Sequence, residues 1–428
     1  MASFTQLLRH NRNYRYMWVG QVVSEIGDHF NNIAVFSLVM DTTHSGLVIT
    51  GVMLARAVPV LLAGPIAGVV LDRTDRKHIM IASDLFRMLI ALCFVLGVSP
   101  GATNLLYVLS AFLMFASPFF TSGRSAILPR IASAEELHTA NTLTQTTQWT
   151  TLAISGFLAG ISVKSFGYQW AFVLNSLSFL ISALCIAQLR SPGGFTPQRA
   201  GITEADWMRP MSEYRQGLRY MLSIPLLFGI AMIHVGWASG GGAAQILFGL
   251  FGDVVFRMGS VGIGTIWGCA GIGLVLGGVV AQRIGPKLSF RQYKRVVTVC
   301  YVVHGVTYVM FSQMRNFRAA LFFIMLSRAA VAVSSALNIT QLLVHVRDEY
   351  RGRVFATIET LTWSVMMLSM MAAGVASQHF SPRTIGVGAG ILSSLTAVYW
   401  SWANSTGRLP EPPKEAAEDV EVHGEPVI

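Results

Sequence analysis

Ionisable side chains stand inside long apolar runs of this sequence, among them Glu25, Asp28, Arg56 and Arg328. A charge held in lipid costs at least ~2.5–3.5 kcal/mol, so each is a functional candidate. Asp28 lies twelve residues before the end of the run 16–40, and Arg56 lies ten residues into the run 46–71. At the helical rise those distances are about 18 Å and 15 Å. The two side chains thus share a depth on neighbouring elements and can pair. Glu25 sits one turn from Asp28 on the same face. A carboxylate in a low-dielectric site is discharged by desolvation and kept charged by a nearby cation. Protonation or ligand binding can therefore make or break an Asp28–Arg56 pair and bias one conformation over another. The competing reading is a permanent ion pair that locks two helices, with Glu25 simply solvated. His234 and His304 also fall in apolar runs. Histidine titrates near neutrality, but a lone one in such a run is ordinarily a packing residue.

A second cluster, Asp72, Arg73, Arg76 and Lys77, lies between two apolar runs, with Asp84 and Arg87 following in the next. Alternatively, its cations only fix topology, and that reading suits Lys77 best. Thr144, Gln145, Thr147 and Gln148 must point at a cavity or a neighbouring helix, because polar groups facing lipid go unsatisfied. No GxxxxGK[ST] loop is present to cradle a nucleotide. Neither GxSxG nor HExxH suggests hydrolysis. The four cysteines lie in apolar runs without CxxC spacing and read as small core residues rather than as a disulfide frame or metal site. Nothing here points to an enzyme, and no cofactor is implied.

The elements that must position these groups are membrane helices. Of 428 residues, 53% are hydrophobic and 12% charged, with mean hydropathy +0.54. A soluble domain carries roughly a quarter of its residues as charges. Apolar segments recur at 16–40, 46–71, 78–98, 104–121, 142–163, 170–189, 225–249, 259–283, 296–313, 318–344, 354–380 and 384–403. Each is near the ~20 residues that cross a bilayer. The run 142–163 is the weakest, since TLTQTTQWTT opens it. With the N-terminus inside, the inner loops hold twenty-three lysines and arginines and the outer loops five. That asymmetry predicts both termini in the cytoplasm and an even number of spans. It also accounts for the net charge of +10 without a nucleic-acid partner. The early acids Glu25 and Asp28 argue against a cleaved signal peptide.

Residues 190–223 separate two halves of six spans. SPGGFTP cannot hold regular structure, and MSEYRQGLRYML has the pattern of a helix lying on the inner surface. The predicted domains are 1–189, the linker 190–223, 224–404, and an acidic tail 405–428 whose composition reads as disordered. The halves carry an internal repeat. GVVLDRTDRK at 68–77 and GVVAQRIGPK at 278–287 agree at five of ten positions, 210 residues apart. Each copy sits where an even-numbered span returns inside. Duplicated bundles of this kind place a binding site between the halves near mid-membrane.

The first copy, Gly68 to Lys77, resembles the major facilitator superfamily signature G-x-x-x-D-R-x-G-R-K. NRNYRYMWVGQVVSEIGDHFNNIA, SPFFTSGRSAILPR, YRQGLRY and YRGRVFA are similar to the drug, macrolide and enterobactin-exporter-like efflux branch. Asp75 replaces the signature's second glycine, and SGFLAG at 155–160 is a degraded form of the antiport-associated GPxxGG. The resemblance implies an all-α membrane fold of twelve helices in two pseudo-symmetric bundles. It also implies a monomeric secondary transporter of the bacterial inner membrane that works by alternating access. Its substrate would be a small amphipathic drug- or siderophore-like compound exported against protons. Glu25, Asp28, Arg56 and Arg328 would line the coupling and substrate cavity, an acid after glycine in the first helix being a recurring feature of the branch. Gly68, Asp72, Arg73, Arg76, Lys77, Asp84 and Arg87 would gate, with Asp72 meeting the positive end of the eleventh helix near Val354. A charge–dipole contact of that kind is worth roughly 0.3–1 kcal/mol, up to ~2 when partly buried. Two alternatives remain at this point: a lysophospholipid flippase, and a receptor or scaffold that kept the fold without transporting.

Overall fold

The computed structural model describes residues 4–43, 45–99, 101–191, 194–196 and 209–412. Every regular element among them is helical. After a short α1 (Phe4–His10), the Asn11 carboxamide accepts from the Tyr14 amide at 2.9 Å and opens α2 (Arg12–Thr43). Ser45 caps α3 (Gly46–Arg73), which accommodates Pro59 and Pro65. Asp75 caps α4 (Arg76–Cys93) by accepting from the His78 amide. α5 (Thr103–Ile131) follows. A reciprocal Ser133–Glu136 capping box then starts α6 (Ala134–Phe166), whose end is set by Gly167 at φ +84°. α7 (Tyr168–Ala187) closes the first half. The second half contains α8 (Arg209–Ser223), α9 (Pro225–Leu250), α10 (Gly259–Ile284) and α11 (Phe290–Gln313), then α12 (Phe317–His345), α13 (Asp348–Ala376) and α14 (Pro382–Ser405).

Nine of these helices are long and apolar enough to cross a membrane, among the described residues: α3, α4, α5, α7 and α9 to α13. The sequence reading counts twelve; the difference is α2, α6 and α14. In α2 and α6 the shortfall has a physical reason. Their polar side chains face each other: Trp18 Nε1 donates to Thr147 Oγ1 at 2.8 Å, and Thr151 Oγ1 donates to Glu25 Oε2 at 2.9 Å. Polar stripes that satisfy each other lower the apolarity of each helix without turning a donor toward lipid.

Two compact units form. The first comprises Met1–Glu204 with Ile246–Ile272 and Ala373–Pro382, the second Ala205–Gln245 with Gly273–Ala372 and Arg383–Ile428. Inside the first, α2 packs along α7 and α6, α3 along α5, and α4 along α5 and α7. The first stretch of α10 joins this unit by close backbone approach to α6. A Cβ added at Gly264 would lie 2.3 Å from the Gly156 carbonyl oxygen, and one at Gly156 would lie 2.6 Å from the Gly268 nitrogen. Only glycine permits that crossing. The SGFLAG segment thus supplies helix contact. The end of α13 meets α3 similarly, through Gly374 against Thr50 and Gly46 against Ser377.

In the second unit α11 packs on α12, and Tyr293 donates to Asn338 at 2.7 Å. The core surrounds Trp400, which is fully buried. The amphipathic linker segment is α8. It lies against α13 through Gly217, beside the Arg353 carbonyl, and through a Tyr220–Tyr350 stack with centroids 4.3 Å apart. Within SPGGFTP the described residues are anchored: Phe195 is 3% exposed in the first unit's core, and Arg130 donates to the Gly194 carbonyl at 3.1 Å. Leu409 is equally buried in the second unit, so packing continues into the start of the predicted tail. Residues 413–428, the rest of that tail, lie outside the described residues.

Candidate functional site

Glu25 is the centre of the polar site in the first unit. Gln21 Nε2 of α2 donates to its Oε1 at 2.8 Å, Thr151 of α6 donates to its Oε2, and Arg124 Nη1 of α5 stands 3.7 Å away. Three helices converge on one carboxylate. Sequence reasoning missed Arg124, counting it among inner-loop cations because the apolar run stops at 121. α5 instead continues to Ile131, with Ile127 and Leu128 buried. The apolar i, i+3, i+4 spacing after Gly123 carried that signal.

Asp28 is half-buried, and its Oδ1 is enclosed without a hydrogen-bond partner. Arg56 does not form an ion pair with it. It donates to Asn31 Oδ1 at 3.1 Å instead. Arg87 and then Arg56 exert the main fields on Asp28. The equal depth inferred from spacing brings the two residues into electrostatic range, but Asn31, one turn along α2, takes the guanidinium.

Asp84 and Arg87, read from the sequence in the apolar run that follows the loop cluster, are core residues of α4. They form a buried ion pair, 0% and 2% exposed. The Arg87 guanidinium lies over the rings of Phe120, at 4.9 Å, and Phe179, at 4.4 Å. The loop residues have local jobs. Arg76 Nη1 donates to the Ala126 carbonyl at 2.9 Å. Lys77 Nζ donates to the carbonyls of Ala187 and Leu189 at 2.8 and 2.9 Å, closing the C-terminal end of α7. Asp75, the departure from the signature, is the α4 cap. Partial burial would raise its carboxyl, but the His78 amide, the His78 ring and the amides of Lys77 and Phe195 outweigh this and hold it below the usual carboxylate range. A Cβ at Gly68 would meet nothing within 4 Å. Asp72 and Arg73 end α3, and the Asp72 side chain lies outside what the structure describes.

Arg328 belongs to the second unit, buried on α12 beside Gly273 and Tyr308. His304 shares a 2.7 Å hydrogen bond with Ser327 between Tyr301 and Tyr308, and His234 Nδ1 bonds the Ile230 carbonyl at 2.8 Å. Both fit the packing role. No group of three or more metal-ligating side chains occurs among the described residues.

Long apolar helices whose ionisable groups are turned onto one another define a multi-pass membrane protein. The chain belongs to the Major Facilitator Superfamily, whose family model matches residues 17–367. It is 23% identical over 388 residues to macrolide efflux protein A of Streptococcus pyogenes, covering 89% of this chain and 92% of that one. It is 20% identical over 395 residues to the uncharacterized MFS-type transporter YfmI of Bacillus subtilis, covering 91% and 96%. The match to YfiS of the same organism is 25% identical but spans about half of each chain, 52% and 52%. Among solved structures, a POT family transporter in complex with 5-aminolevulinic acid shares the fold with TM-score 0.76 at 8% identity, covering 93% and 97%. The protein is a major facilitator transporter with an efflux protein among its relatives.

Proposed function

We propose that the protein is a proton-coupled exporter of a small amphipathic organic compound. It would work by alternating access through twelve spans in the bacterial inner membrane, as a monomer with both termini cytoplasmic. On this reading two six-helix halves, 1–189 and 224–404, are joined by the linker 190–223. The observation that carries it is Glu25. A carboxylate held by a cation and two neutral donors, and partly open, can exchange a proton and transmit the exchange to three helices at once. Asp28, one turn away with an unfilled acceptor, takes part in the same exchange. Arg56 and Arg87 supply compensating charge to Asp28, Arg328 keeps a cavity role, and the Gly68–Lys77 segment keeps the gating role of the family signature. The likeness to macrolide efflux protein A supports export.

The test is purified protein in liposomes with an imposed pH gradient, screened against dyes, macrolides, catecholate siderophores and lysolipids. Gradient-driven flux that Glu25→Gln abolishes is the expected result. Headgroup-dependent lipid transport that survives collapse of the gradient would overturn the reading in favour of a flippase.

A further inference from the structure

Asn11, Arg12 and Asn13, from the NRNYRY segment at the start of α2, lie outside the Glu25 site and wall a cavity of their own. With Glu136 of α6 and Gln188 and Arg190 beyond α7 they enclose about 390 Å³, a volume typical of small-molecule sites. Two carboxamides build its walls. Asn13 grips the main chain of Arg190 in both directions, Nδ2 donating to the carbonyl at 2.7 Å and Oδ1 accepting from the amide at 3.0 Å. Asn11 Nδ2 donates to the Ile131 carbonyl at 2.6 Å and to Glu136 Oε2 at 3.1 Å. The ends of α2, α5, α6 and α7 are thereby fixed around the space, so it is formed before any ligand arrives. The charge facing it is mostly positive. Arg190 projects from a pinned main chain, and the Arg12 guanidinium lies over the Tyr16 ring at 5.5 Å. His10 adds an imidazole, held through Nδ1 to the Gln6 carbonyl at 3.0 Å. Lys77 stands behind them at the end of α7. Glu136 is the acid among the described wall residues, and its Oε2 is already engaged by Asn11 and by the Ser133 amide at 3.0 Å.

Guanidinium groups match phosphate in shape and charge, and each can donate two hydrogen bonds to it. The space exceeds what an inorganic ion fills, since a water needs only ~10–15 Å³ of it. Room remains for a group esterified to the phosphate. We propose that this cavity binds a phosphate ester, with Arg12 and Arg190 taking the phosphate oxygens, His10 as a further donor, and the organic part beside Gln188. The ligand neutralises two cations that otherwise repel one another, and it joins the start of α2 to the chain that leaves α7. Two sources offer this chemistry. One is the glycerophosphate headgroup of an anionic phospholipid, because basic pockets at the ends of membrane helices stand at headgroup depth. The other is a soluble phosphate ester. The site needs neither a particular transported compound nor proton coupling, so it stands apart from the transport reading.

Two probes test it, dioleoylphosphatidylglycerol and sn-glycerol 3-phosphate. Each is added to the purified full chain in detergent, and native mass spectrometry reads what the protein retains. Binding of at least one probe should fall by about tenfold in the double variant Arg12→Gln with Arg190→Gln, the scale of a lost charge-assisted contact. Arg9→Gln with Arg215→Gln removes the same charge outside the cavity and should bind like the parent. Retention of the lipid, undisturbed by glycerol 3-phosphate, assigns the site to a headgroup. Displacement of the lipid by glycerol 3-phosphate shows that a soluble ester occupies it as well. Unchanged binding in the cavity pair, equal loss in the two pairs, or no binding of either probe overturns the proposal. Should the cavity pair fail to fold, phenylglyoxal labelling of the parent decides. Bound probe should slow modification of Arg12 and Arg190 and leave Arg9 and Arg215 unprotected. Equal protection at all four, or at none, is equally fatal.

Discussion

Arg124 Nη1 of α5 lies 3.7 Å from Glu25 Oε1 of α2, with neither side chain more than 18% exposed. Glu25 therefore has a permanent counter-charge, which Asp28 lacks as an ion pair. The two acids differ in what removing their charge does.

Glu25→Gln keeps the carbonyl that Thr151 donates to and loses the charge facing Arg124. Arg124→Ala leaves the carboxylate in place without its cation. Breaking a buried pair from one side costs about 3–5 kcal/mol, and partial solvation reduces that figure here. A loss of about 1–2 kcal/mol is expected for Arg124→Ala and a similar or smaller one for Glu25→Gln, whose amide oxygen keeps the Thr151 bond while its NH2 replaces the acceptor that Gln21 and Arg124 face. Thermal melts in one detergent check the order. Flux driven by a pH gradient should fall at least tenfold in both variants.

The charged groups were legible in the sequence, and much of their arrangement was not. Apolar runs marked Glu25, Asp28, Arg56 and Arg328, because a charge in such a run is conspicuous wherever the helix ends. Partner choice depends on helix rotation, which spacing alone does not fix. Asn31 displaced Asp28 as the partner of Arg56 because it lies one turn further along the same helix. Arg124 was hidden because hydropathy drops before α5 ends. Asp84 and Arg87 were legible as residues of the run after the loop motif, but their pairing with each other in the core beyond Met80 was not. Helix starts are set by local capping that the hydropathy reading did not use: Ser45, Ser133, Ser289 and Asn316 each cap the helix they precede.

Asp75 offers a test of the α4 cap. Loss of an N-cap costs ~0.5–2 kcal/mol, so Asp75→Ala should destabilise the protein by about that much, whereas Asp75→Asn keeps a capping oxygen without charge. The folded carboxyl titrates below its ordinary range. Its charge therefore stabilises the fold fully above the unfolded value of about 4, and that contribution is lost as pH falls through the lower folded value. Melts at neutral pH should separate the parent from Asp75→Asn, and melts well below pH 4 should bring the two together. A difference that widens in acid would contradict the assignment.

Glycine contacts between α6 and α10 predict a sharp contrast. Gly264→Ala puts a methyl 2.3 Å from a backbone oxygen, which cannot move without parting the helices, and overpacking of this kind costs about 1–3 kcal/mol. Gly68→Ala meets open space, so helix propensity alone acts and a gain of up to ~1 kcal/mol is expected. Opposite signs in paired thermal melts are the expected result. Equal losses would show that the α6–α10 crossing is not tight.

Tyr220 ties the mid-chain helix to the start of α13. Its ring is 9% exposed and stacks on Tyr350 with planes 3° apart, and the Arg347 guanidinium lies 5.6 Å from both ring centroids. Gly217 brings α8 onto the Arg353 carbonyl, 2.7 Å from where its Cβ would stand. An aromatic pair adds ~0.5–1.5 kcal/mol beyond burial, and loss of the whole ring costs about 3 kcal/mol or more. Local unfolding draws on the same contacts, so Tyr220→Ala should raise amide exchange in the first turns of α13 and in α8 while leaving α11 and α12 unchanged. Tyr220→Phe keeps the stack and should stay close to the parent. Gly217→Val should reproduce the alanine variant's exchange pattern by prying the helix off rather than by removing the ring. Uniform acceleration across the second unit would mean that the tyrosine stabilises the core as a whole, and that α8 does not brace the start of α13 in particular.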